Sequence, residues 1–364
     1  MKIKEILREI ELYAPLPLQD SYDKSGIQVG DINLSVTGIL VCVDVTEEVL
    51  EEALDLQCNL IISHHPLLFK PLHSLTGKTY IERCVQKACK HDLVIYAAHT
   101  NLDNVSEGVS FRMARKLGLQ QVEVLSPKEN ELLKLVTFVP SAQANEVRNA
   151  LFGAGAGHIG NYDSCSYNLE GTGSFRAGEH TDPFCGEKGR LHWEPEVRIE
   201  TVLPAFRKRQ VTEALLLSHP YEEPAFDLYP LLNSWKGAGA GAVGELLLPL
   251  EEPEFLQQVK DIFRLKCLKH SSLRDKPVKK VAVCGGSGAF LISRARAVGA
   301  DVFITGEAKY NDYYDVEKNL LLAVIGHYES EECTKELFFE IITKKLPNFV
   351  VHFSKANTNP VNYL

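Results

Sequence analysis

Long apolar stretches are missing from this chain. No run of about 18 apolar residues occurs anywhere, so no membrane-spanning helix is expected. The start offers no secretory core either. Residues 1–13 read as an amphipathic helix in which Glu5, Arg8, Glu9 and Glu11 interrupt any apolar block, whereas a signal peptide needs an unbroken one. Positive charge is outweighed, with 39 Lys and Arg against 48 Asp and Glu and a net charge of -9. That balance argues against binding nucleic acid through bulk charge, while leaving a local basic groove open. No Cys-x-x-Cys pair occurs among the nine cysteines, and Cys84 and Cys89 sit in a helical stretch. Reduced thiols and a cytoplasmic location follow as expectations. What remains is ordinary globular material, 45% apolar and 24% charged over 364 residues. At about 150 residues per domain, that length predicts two or three domains.

Residues 39–45 (ILVCVDV), 60–63 (LIIS) and 93–98 are short apolar runs that read as buried strands. Thr46 has the chemistry of an N-cap, with Glu47 and Glu48 opening a helix that ends near Asp55, and residues 80–91 predict a second helix. This β-α-β alternation predicts a parallel sheet covered on both faces. The C-terminal third repeats it: strand 281–284, a Gly-Gly-Ser-Gly turn, helix 289–297 and strand 302–305. An offset of 242 places Cys42 on Cys284 and Ile62 on Ile304. YAAHTNLD (96–103) likewise aligns with VIGHYESE (324–331), so His99 and Asp103 mirror His327 and Glu331. Residues 127–244 differ in character. Strands at 135–139, 164–176, 197–202 and 225–229, with helices at 145–152 and 207–217, give the order of a split ferredoxin-like layout. The expected fold is therefore α/β. Residues 1–126 and 245–364 form one split three-layer domain of two pseudo-repeated halves, and 127–244 form an inserted α+β domain.

The most specific local motif is Ser63-His64-His65-Pro66. Two imidazoles at a strand end lie at the carboxyl edge of a parallel sheet, where open α/β folds place ligands, and imidazole is a common metal ligand. The plainer reading is a pair of loop histidines. His327 and Glu331, at i and i+4 where a helix starts, share one face and can hold one ion, or else simply decorate a solvated helix end. Asp103 has the chemistry of a carboxylate bridge between two ions, or of an ordinary turn residue. All three motifs follow strands expected to be parallel, so they converge on one edge. Gly285-Gly286-Ser287-Gly288 can cradle a phosphate or make a tight turn; it lacks the Walker lysine. Glu307, ending the next strand, is a candidate acid/base group. His219-Pro220-Tyr221 reads better as a rigid turn than as an ion site. His158, His180, Cys185 and His192 match no zinc spacing and are unassigned.

With these residues in view, the chain resembles the GTP cyclohydrolase 1 type 2 homolog family, also known as the dinuclear-metal-centre or NGG one-interacting factor three-like family. The resemblance covers nearly the whole chain. It is carried by SGIQVG (25–30), IISHHP (61–66), HTNLD (99–103), CGGSG (284–288), ITGE (304–307) and GHYESE (326–331). It implies a site for two divalent ions (zinc, iron or manganese) on His64, His65, Asp103, His327 and Glu331, with His99 beside it. It also implies a PII-like or CutA-like inserted domain and a toroidal homohexamer whose sites face an internal cavity. Two positions depart from the family pattern: Lys24 stands where Asn is common, and Asn311 where many members have His.

The function expected on these grounds is a metal-dependent hydrolase of a nucleotide or phosphorylated small molecule. Glu307 or His99 would move protons, and Asp103 would bridge the ions. The alternative is a non-enzymatic metal-binding scaffold or regulator that stores, delivers or senses metal. No membrane partner is expected, and nucleic acid is the least attractive one.

Overall fold

The computed structural model describes residues 1–347 and 349–364, which form two compact units: Met1–Pro127 with Gly237–Leu364, and Lys128–Lys236. Within the first unit, four-residue strands buried along their whole length follow from the β-branched runs. Ile39–Cys42, Leu60–Ser63 and Val94–Ala97 pair in parallel, joined on one side by Val351–Phe353 in parallel and on the other by Gly26–Val29 antiparallel. A second sheet holds Val278–Cys284, Val302–Thr305 and Leu321–Val324 in parallel, flanked antiparallel by Trp235–Leu250 and Lys269–His270, with Gln120–Lys128 at its edge.

Strand side chains alternate between faces, and each face meets its own core. Val41, Ile62, Tyr96, Val283, Ile304 and Leu321 belong to one shared cluster. Leu40, Cys42, Ile61 and Ile95 pack in a second, and Ala282, Cys284, Phe303 and Leu322 in a third. Positions 41 and 283 therefore both face the shared core, and 42 and 284 both face outward from it. The expected offset of 242 thus keeps residues on equivalent faces. The helix Ile3–Tyr13 buries Ile3, Ile6, Leu7 and Ile10 against the shared core, and its charged residues stay outside. Each such buried side chain contributes about 1.5–3 kcal/mol. Thr46 caps Glu47–Asp55 by accepting from Val49 N at 3.3 Å, as its sequence context predicts.

The second unit is built on a four-stranded antiparallel sheet, ordered Ser166–Arg176, Leu191–Pro204, Leu132–Pro140, Phe226–Leu231. Helices Ala144–Gly153 and Lys208–Ser218 cover it, burying Val147, Leu151, Val211 and Leu215 against Leu135, Val139, Ile199 and Leu203. His219 is buried here. Its Nε2 donates to Phe138 O at 2.9 Å, and its Nδ1 accepts from Tyr221 N at 3.0 Å. Both ring nitrogens are used in holding the turn, so this histidine is structural.

Candidate metal centre

In the first unit the parallel strands end in register, Cys42 beside Ser63 beside Ala97, and Cys284 beside Thr305 beside Val324. The residues that follow these ends are those singled out from the sequence. His64 and His65 leave the strand Leu60–Ser63. His99 precedes the short helix Thr100–Asn104 that carries Asp103, and His327 and Glu331 begin and end the short helix His327–Glu331.

The donor atoms converge. Glu331 Oε1 lies 3.5 Å from His64 Nε2, and Glu331 Oε2 lies 2.9 Å from His65 Nε2 and 3.2 Å from His327 Nε2. Asp103 Oδ1 is 3.7 Å from His64 Nε2. Two sets of potential metal donors result, His65 with His327 and Glu331, and His64 with Asp103 and Glu331; a third joins His64, His65 and His99. The carboxylate standing between the first two sets is Glu331 rather than Asp103, the bridge expected from the sequence. Glu331 is buried where the two strand edges meet, whereas Asp103 approaches one set only.

Every imidazole in the cluster turns its Nδ1 to an oxygen acceptor. His64 faces Ala98 O at 2.9 Å, His65 faces Asp44 Oδ1 at 2.7 Å, His99 faces Asp23 Oδ1 at 2.7 Å, and His327 faces Glu307 Oε1 at 3.0 Å. Such partners fix the ring and leave Nε2 as the ligand atom, the arrangement that orients metal-bound histidines. The acceptors are held in turn. Asp23 also accepts from Ser25 Oγ and from Thr100 N and Oγ1, Asp44 from Thr358 Oγ1, and Glu307 from Ser287 Oγ.

Electrostatics sharpen the case for a cation. His64 Nε2 and Asp103 Oδ1 are buried without a hydrogen bond, an arrangement that costs free energy unless something binds there. Burial lowers the pKa of His64. Burial, with the charge of Glu331, raises that of Asp103 well above the usual carboxylate range. Burial would also raise Glu331, but the imidazoles around it outweigh this and hold it well below. For His65 and His327 burial is likewise outweighed, by Asp44 and Glu331 for the first and chiefly by Glu331 for the second, and they rise to about 10 and about 9. A bound cation satisfies the orphaned donors and relieves the repulsion between the carboxylates. The residues present therefore fit metal ions.

Asp44 and Asp23 were not singled out as site residues from the sequence. Asp44 carried a usable signal, an acid at the end of a buried parallel strand next to the His-His strand. The glycine turn departs from one expectation: Gly286 N donates to Ser330 Oγ and Gly288 N to Thr305 Oγ1, both at 2.9 Å, so these amides are not free to cradle a phosphate. Gly286 instead makes room. It adopts φ +60°, and a Cβ there would stand 2.3 Å from Glu331 Oε1.

Two α/β sheets that present imidazoles and carboxylates from their strand ends define an α/β protein with a candidate metal centre. Over residues 1–360 the chain matches the Duf34/NIF3 (NGG1p interacting factor 3) family, and it belongs to that family. It is 40% identical over 364 residues to a GTP cyclohydrolase 1 type 2 homolog of Halalkalibacterium halodurans, covering 99% of this chain and 98% of that one. To the homolog of the same name from Bacillus subtilis it is 37% identical, with the same coverage of both chains. Its fold is similar to that of a Bacillus cereus protein related to NIF3, with a TM-score of 0.86 and 39% identity over 100% of this chain and 99% of that one. No helix among the described residues is long and apolar enough to cross a membrane.

Proposed function

We propose that this chain holds two divalent metal ions and acts as a metal-dependent hydrolase on a nucleotide or another phosphorylated small molecule. The observation that carries the reading is the pair of donor sets sharing Glu331, with two buried donor atoms, His64 Nε2 and Asp103 Oδ1, left without hydrogen bonds. His65, His327 and Glu331 would hold one ion; His64, Asp103 and Glu331 would hold the other, with His99 beside them. Ions of the zinc, iron or manganese kind supply water activation and a clamp on an anionic oxygen.

The remaining chemistry falls to the chain. Glu307 is partly exposed, and its Oε1 meets His327 Nδ1, which places it to take or return a proton at the cluster rim. The hydrogen bond from Ser287 lowers its pKa and keeps it in the basic form. A cavity of about 380 Å³ borders His65, His327 and Glu307 and is also lined by Lys269, Tyr328 and Tyr363. An ammonium and two aromatic rings suit a phosphorylated ligand with a planar base. The printed name of the relatives makes GTP the first substrate to test. The strand order of the Lys128–Lys236 unit supports reading it as an inserted ferredoxin-like domain of the PII or CutA kind. Exposed Leu247 and Leu248 supply apolar surface for self-association, in keeping with a cytoplasmic homohexamer.

The test is metal analysis and turnover of metal-loaded protein on GTP and a nucleotide panel, beside His64→Ala and Glu331→Gln. Metal-dependent turnover in the parent, lost in both variants together with the ions of this cluster, is expected. Metal binding without turnover on any substrate would transfer the assignment to a metal-storing, delivering or sensing scaffold. Absence of bound metal after reconstitution would remove both readings.

A further inference from the structure

Two of the four unassigned histidines and cysteines in the middle of the chain come together. Within the Lys128–Lys236 unit, Cys185, His192 and Glu194 bring a thiol, an imidazole and a carboxylate to within 4.8 Å of one another. His192 and Glu194 alternate along the strand Leu191–Pro204, so both side chains stand on one face. Cys185 arrives from the loop before that strand, and Gly186 lets it do so. At φ +81°, a Cβ on Gly186 would meet His192 Cβ and Cγ at 2.9 Å, so only glycine lets the loop lie against the ring. Across the sheet, Phe175 pairs with His192 and Gly173 with Glu194. The missing side chain at Gly173 leaves space for carboxylates, since a Cβ there would stand 2.1 Å from Glu196 Oε2.

We propose that Cys185, His192 and Glu194 form a separate mononuclear site for a borderline-soft divalent ion of the zinc class. The donor chemistry selects the ion. A thiolate with an imidazole and a carboxylate suits zinc, whereas magnesium and calcium call for all-oxygen shells. Three protein ligands leave a fourth position open. His192 Nε2 contacts Glu194 Oε2 at 2.8 Å, and the thiol contacts Tyr221 Oη at 3.9 Å. Desolvation favours the neutral thiol, and a coordinated cation reverses that preference. The surroundings also suit a functional place. Phe175 and Tyr221, whose rings meet at 5.7 Å, line a cavity of about 620 Å³ in the same unit, together with Glu196, which accepts from Tyr221 Oη at 2.9 Å. The sequence hid this group because Cys-x6-His-x-Glu matches no zinc module; loop closure onto a strand makes the proximity.

This site is independent of the proposed hydrolase reading, and the experiment keeps them apart. Chelator-stripped full-length protein is titrated with cobalt(II) and followed by near-ultraviolet thiolate-to-cobalt charge-transfer absorption, which the sulfur-free cluster of the first unit does not produce. A saturable band whose final amplitude corresponds to one thiolate–cobalt bond per chain is expected in the parent and in Glu331→Gln. The band should vanish in Cys185→Ser and Cys185→Ala, and its half-saturation should rise at least about tenfold in His192→Ala. Far-ultraviolet circular dichroism checks that each variant is folded. Absence of a thiolate band in the parent, or its persistence in folded Cys185→Ser and Cys185→Ala, overturns the proposal.

Discussion

The four cluster imidazoles share one device at the residue scale, an Nδ1 turned to an oxygen and an Nε2 turned inward. For His65 and His327 a pH dependence follows from their contacts with carboxylates, and its sign can be worked out. With their pKa values raised to about 10 and about 9, His65 and His327 carry protons at neutral pH in the metal-free protein. A metal ion binds only the unprotonated nitrogen, so binding must expel those protons. Affinity at the set of His65, His327 and Glu331 should therefore rise as pH increases toward these pKa values, and the ion bound there should release protons near neutrality. Calorimetry in buffers of different ionisation enthalpy reads the released protons directly. A metal affinity that stays flat between about pH 6 and about pH 9 would contradict this account.

At the scale of the element, the turn after Val278–Cys284 matters more than its glycine-rich composition suggests. Its amides are spent within the fold, yet Gly286 permits the approach of Glu331 from the helix His327–Glu331. Gly286→Ala places a Cβ into that carboxylate and an L-residue at positive φ. We expect it to lower stability by about 1 kcal/mol or more in chemical denaturation and to reduce metal content in elemental analysis. Full metal loading in the alanine variant would show that Glu331 can be held elsewhere.

On the scale of the whole molecule, the chain leaves and re-enters the first unit at neighbouring points. Val105 forms a bridge with Ala238, Ser106 N donates to Gly237 O at 3.3 Å, and a Cβ on Gly239 would stand 2.2 Å from Ser126 O. A short Gly-rich link from Pro127 to Gly237 can therefore replace Lys128–Lys236 without stretching the sheet that contains both ends. The shortened chain should fold cooperatively in thermal melts followed by circular dichroism and retain metal that Glu331→Gln removes. A shortened chain that cannot fold would refute the reading of Lys128–Lys236 as an inserted domain.

Much of this was open to reading in one dimension because the signals are local. Thr46 caps a helix because its hydroxyl meets an amide three residues on, and LIIS forms a buried strand because β-branched runs do. Strand ends followed by His64, His65, His327 and Glu331 marked the candidate donors, since parallel strands deliver their next residues to one edge. Tertiary structure alone decided what depends on distance between remote segments. It set Glu331 rather than Asp103 between the two donor sets, brought Asp23 and Asp44 to the backs of His99 and His65, and carried Cys185 onto His192. The lack of a long apolar run agrees with the described residues, none of whose helices is long and apolar enough to cross a membrane. Spacing along a chain records helical and strand periodicity, whereas a site is closed by packing between elements, which no local period encodes.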